Sequence, residues 1–109
     1  MQTTVIGQIT TLQLREPEPH MFYSIEAAAS LSRIPRRMIA VYCQRGLVSP
    51  VMDPNAGGWF FNDDGIRRLR HIEYLREVYG MNLSAVGMFL GLWDEVEDLR
   101  REVRFLRQH

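Results

Sequence analysis

The chain has no lysine; all 13 of its Lys/Arg residues are arginine. It has one cysteine, Cys43, so no intrachain disulfide can form, which fits a reducing compartment. No apolar run is long enough to span a bilayer, and the N-terminus lacks the basic region and apolar stretch of a signal peptide. A cytoplasmic location with no membrane partner is therefore expected. There is no CxxC, no HExxH, no glycine-rich phosphate loop and no nucleophile elbow. The histidines, His20, His71 and His109, stand far apart in sequence. No catalytic residue, metal site or cofactor is expected, and the chain does not read as an enzyme. Net charge is also lacking: 13 Asp/Glu balance the 13 arginines. DNA-binding domains of this size are more often basic overall, so the balance argues mildly against nucleic acid.

The charge that is present is unevenly spread. Arg33, Arg36, Arg37, Arg45, Arg67, Arg68 and Arg70 fill the middle of the chain, opposed there only by Asp53, Asp63 and Asp64. Acids gather later, in "WDEVEDL", as Asp94, Glu95, Glu97 and Asp98. A positive middle and a negative band are expected. With 109 residues, 46% hydrophobic and 24% charged, the chain reads as one soluble globular domain with a modest core that a dimer could enlarge.

Three segments are expected. Residues 1–20 are rich in β-branched residues and then in proline, which reads as a strand or a flexible segment. Residues 21–81 carry the signals of a helix-turn-helix with a wing. Ser24 can cap a first helix, "IEAAASLS". "RIP" ends it, Pro35 suits the first turn of a second helix, and Gly46 stops that one. "LVSPVMDPNAGGWFF" gives two short strands around a Pro/Asn/Gly turn. Asn62 or Asp63 caps a third helix, and Gly80 closes it. Residues 82–109 form a last helix, capped by Asn82 or Ser84. Along it Phe89, Leu92, Val96, Leu99, Val103 and Leu106 recur in steps of three and four, as the a and d positions of a short coiled coil between two protomers do. Glu97 is spaced to pair with Arg101 or Arg104, on the helix surface or between chains.

The fold class is thus mainly α: a winged helix-turn-helix with a small β-ribbon wing and a C-terminal coiled-coil helix. This order of elements, with "QRGLVSP" at the end of the second helix and "GMNLSAVGMFL" at the entry to the last, resembles the MerR-like superfamily. "WFF" followed by "NDD", the third-helix run "RRLRHIEYLREVYG" and "WDEVEDLRREVRFLR" resemble its chaperone-modulator (CbpM-type) branch.

That resemblance implies a non-enzymatic protein that binds the J-domain of a DnaJ-like (CbpA-type) co-chaperone and inhibits its action with Hsp70. A J-domain's second helix is basic, so Asp94, Glu95, Glu97 and Asp98 become candidate contacts by charge complementarity. The superfamily also implies the alternative, a DNA-binding transcriptional regulator using Arg36, Arg37, Arg67, Arg68 and Arg70. DNA-binding members carry arginine on the recognition helix and in the wing, where this sequence has Ala40 and Trp59. The wing is therefore expected to be a packing element, with Trp59 and Phe61 on one strand face against the core. Cys43 is expected to be a partly buried structural thiol.

Overall fold

The computed structural model describes residues 21–108 apart from residues 54 and 56; the expected strand or flexible segment at 1–20 lies outside the described residues. The chain order is β1 (Tyr23–Ser24), α1 (Ile25–Ser32), α2 (Arg36–Gln44), β2 (Val51–Met52), β3 (Trp59–Phe61), α3 (Asp63–Tyr79) and α4 (Leu83–Arg107).

Local chemistry sets the boundaries. The Ser24 hydroxyl accepts from the Ala27 amide at 3.1 Å, satisfying one of the free N–H groups that open α1. Arg33 ends α1 in the left-handed region, at φ 62°, and is the only described non-glycine residue there. Pro35 precedes α2, where its missing N–H is no loss, and its carbonyl accepts from the amides of Met38 and Ile39. Of the alternatives open in the sequence, Asn62 and Asn82 are the caps of α3 and α4; each side chain accepts from the amide three residues on. Gly80, at φ 65°, closes α3 with its N–H on the Leu75 carbonyl.

The three strands form one antiparallel sheet in the order β1-β3-β2. Tyr23 faces Phe61 and Ser24 faces Phe60 on one side; Val51 faces Phe60 and Met52 faces Trp59 on the other. The two-strand ribbon expected from the sequence is therefore joined by a third strand, contributed by the residues that lead into α1. Gly57 and Gly58, at φ 71° and 87°, make the wing turn.

The core lies between α1, α2, α3, the sheet and the start of α4. Ala28, Ile34, Ile39, Tyr42, Phe61, Leu69, Ile72 and Val86 are buried in it, with Leu90 the last core residue of α4. Beyond Asp94, which still bonds to α3, the helix leaves the domain as an arm. Phe89 packs partly against the core. Leu92, Val96, Leu99, Val103 and Leu106 remain 44–66% exposed in the single chain.

Candidate functional site

The expected DNA-contacting arginines fall into two groups. Arg36 and Arg37 open α2 and are exposed. Arg36 reaches Glu26 of α1 at 3.1 Å, with both side chains 63% exposed. Arg37 has no acid partner among the described residues. Arg67 and Arg70 stand on the exposed ridge of α3. Arg67 pairs with Asp64 one turn back, and Arg70 donates to the Leu31 carbonyl at 3.2 Å.

Arg68 does not join them. It turns toward α4, where Nη1 and Nη2 donate to the two carboxylate oxygens of Asp94 at 2.8 and 2.9 Å. Its Nε donates to the Leu47 carbonyl at 2.9 Å. This is a fork-on-fork pair with a third donor satisfied by backbone, and it ties α3 to α4 and to the turn after α2. Arg68 is thereby a structural tie, not a free cation for DNA. Asp94 is equally engaged and is not a free acid for a basic partner. The hydrogen bonds from Arg68 hold its carboxyl below the usual range, against a smaller opposing effect of burial.

The rest of the acidic band is displayed differently. Glu95 is exposed, with no basic partner among the described residues. Glu97 pairs with Arg100 at 3.7 Å and Asp98 with Arg101. Within the single chain the pairs are thus i,i+3 on the same helix, not Glu97 with Arg101 or Arg104. Exposed pairs of this kind are weak and open to exchange with a partner's charges.

Trp59 and Phe61 do not share one fate. Phe61 is fully buried, whereas Trp59 is 48% exposed. Two-residue parity places them on one strand face, but Phe61 lies beside β1 under the helices, and Trp59 lies on the outer Met52–Trp59 rung. Met52 is exposed as well. The wing thus ends in an apolar pair with no basic side chain on that rung. Cys43 is a free, part-buried thiol whose pKa burial raises, the opposite of an activated nucleophile.

Two sets of contacts, those of the Tyr42 hydroxyl and of the His71 ring, were not read from the sequence. Tyr42 is buried on α2, its hydroxyl donating to Glu73 at 2.5 Å and accepting from Arg76 at 2.6 Å, which locks α2 to α3. His71 of α3 stands edge-on to Phe89 (5.9 Å) and to Trp93 (5.3 Å) of α4. Its position one turn from Arg68 was the available signal, but its partners lie on another helix. Among the described residues, no group of three or more His, Cys, Asp or Glu side chains could hold a metal ion. No described helix is long and apolar enough to cross a membrane.

Residues 23–91 match the model of the MerR helix-turn-helix regulatory protein family. The chain belongs to the MerR family. That span runs from β1 through the sheet, α2 and α3 into the first turns of α4. Among solved structures, the fold resembles that of HiNmlR, a MerR family regulator lacking the sensor domain, whose crystal structure was determined bound to promoter DNA. The TM-score is 0.58 at 20% identity, covering 81% of this chain and 77% of that one, which supports the shared fold and nothing finer. No curated protein matches the chain.

Proposed function

We propose that this MerR-family chain is a transcriptional regulator that binds promoter DNA through α2 and α3. The carrying observation is the pair Arg36 and Arg37, exposed at the start of the second helix of a winged helix-turn-helix. In this motif the N-terminal residues of the second helix are those that meet base edges and phosphates. Arg67 and Arg70 add a second exposed cationic ridge for backbone contact. The surface pairs Arg36–Glu26 and Arg67–Asp64 do not block this use, because exposed ion pairs contribute about 1 kcal/mol or less. The fold it shares with a promoter-bound regulator supports the same reading.

The test is fluorescence anisotropy with duplexes tiling the DNA upstream of the chain's own gene. Four arginine–phosphate contacts per protomer give a log–log salt slope of about −3 to −4 for a bound monomer and about −7 for a dimer on two half-sites. Arg36→Ala and Arg37→Ala together are expected to remove most of the binding. A protein that binds no duplex better than random DNA at low salt refutes the reading.

A second reading, a chaperone modulator of the CbpM type, is favoured by one specific observation. Ala40 and Trp59 stand where DNA-binding relatives carry arginine, and Trp59 is presented to solvent without a cation beside it on its rung. On this reading the J-domain of a DnaJ-like co-chaperone docks on the acids of α4, and Hsp70 is kept away. Glu95 leads that surface, with Glu97 and Asp98 released from their surface pairs. Calorimetric titration with the cognate J-domain tests it: saturable binding weakened by salt supports it, and no heat at tens of micromolar rejects it.

A further inference from the structure

We infer that the groove between α3 and α4 is a binding site for a small planar aromatic anion. The groove has a volume of about 610 Å³, within the roughly 300–1,000 Å³ range of small-molecule sites. Arg67, Arg70, His71 and Tyr74 line it at successive helical steps along one face of α3, and Trp93 of α4 forms the opposite wall.

Its aromatic surfaces are uncovered but held in place. Trp93 and Tyr74 are 44% and 52% exposed. Trp93 stacks on Phe89 at 6.1 Å and 25° and meets the His71 edge at 5.3 Å, so its ring is fixed before any ligand arrives. A pre-set aromatic wall favours a flat ligand, because the indole itself needs no ordering on binding.

The charge selects an anion. Arg67, Arg68 and Arg70 line the groove with one acid, Asp64. Arg68 is neutralised by Asp94, and Asp64 offsets Arg67 in an exposed pair. Arg70, which also lines the groove, donates to the Leu31 carbonyl and has no acid partner among the described residues, so its charge is not paired there. An unpaired guanidinium that lines the same groove as an exposed indole suits a ligand that carries carboxylate or phosphate on a flat ring. This inference depends on neither functional reading above.

The experiment uses the full chain with Trp59→Phe, which leaves Trp93 as the single indole, and follows its N–H resonance by NMR. The probes are AMP, adenosine and inorganic phosphate, with a deoxyadenosine octamer as a strand control. AMP is expected to shift the Trp93 signal saturably, with a Kd at or below about 1 mM. Adenosine and phosphate should each bind at least about tenfold more weakly, a difference of one decade per 1.4 kcal/mol. Arg70→Gln should weaken AMP at least about fivefold while the chain still folds and unfolds cooperatively, since Arg70 is exposed and gives up only its bond to the Leu31 carbonyl. A Trp93 signal that does not move with AMP overturns the proposal. Adenosine binding as well as AMP overturns the anion part, and an octamer that binds more than about tenfold tighter than AMP reassigns the groove to a nucleic-acid strand.

Discussion

Arg68 and Asp94 are 26 residues apart in sequence and meet through two parallel hydrogen bonds of 2.8 and 2.9 Å. The pair fixes the angle at which the α4 arm leaves the winged domain. Asp94→Asn should lower stability by about 1 kcal/mol, since the carboxylate is more than half exposed and partly screened. Because the Asp94 pKa is lowered in the fold, its contribution is present above the unfolded carboxylate pKa. It is lost as pH falls through the lower folded value. Thermal melts of the two proteins should therefore differ at neutral pH and converge below about pH 4. A gap that persists in acid shows that the pair is not the origin of the difference.

The Tyr42 hydroxyl is a second long-range tie. It sits between Glu73 and Arg76, which are themselves 3.7 Å apart. Tyr42→Phe keeps the buried ring and removes only the hydroxyl. It should cost about 1–2 kcal/mol in urea melts, more than a neutral hydrogen bond because both partners are charged. Glu73→Gln in the Phe background should then add little, which a double-mutant cycle measures.

Much of the fold was legible because its signals are local. Ser24, Asn62, Asn82 and Gly80 each act on backbone groups within one turn, so their chemistry needs no distant partner. β1 was not legible: two residues carry no period, and the strand exists only because Phe60 and Phe61 lie opposite. The site was read less well for the same reason. Arg68 and Asp94 looked like members of a cationic and an acidic surface, and only the packing of α3 on α4 makes them each other's partner. Parity suggests one strand face for Trp59 and Phe61, yet Phe61 is buried and Trp59 half exposed, because parity does not say where the helix layer stops.

That difference along β3 gives a direct contrast. Phe61→Ala should cost about 3–5 kcal/mol by leaving a cavity under α1 and α3. Trp59→Ala should cost about 1 kcal/mol or less, as expected for a half-exposed residue on the outer rung. Equal losses in guanidinium unfolding would show that the wing is a core element after all.

Arg33 closes α1 with φ 62°, a conformation that favours glycine. Its side chain is exposed and has no bonded partner among the described residues. Arg33→Gly should therefore raise stability, by about 0.5–1 kcal/mol, through relief of the left-handed strain at the cap. The gain is smaller than the strain because glycine also loses more freedom on folding. A thermal midpoint that falls on this substitution indicates that the Arg33 side chain has a structural role.

The uncovered stripe of α4 predicts the oligomeric state. Leu92, Val96, Leu99, Val103 and Leu106 keep half or so of their surface open in the single chain, and the heptad spacing suits a partner helix of the same sequence. The seam spans only a few turns, so association should be in the micromolar range unless the domains also touch. Sedimentation equilibrium of the wild type should show a dimer at about 10 µM, in line with that range. Leu99→Asp with Val103→Asp should give a monomer, because each seam then buries unpaired carboxylates. Neither residue belongs to the core, so the helical content and the unfolding of the winged domain should survive the change. On the DNA reading, the monomer also loses the second half-site and should bind a two-fold symmetric duplex much more weakly than the dimer. A wild-type chain that sediments as a monomer would remove the seam, and with it any requirement for symmetric half-sites.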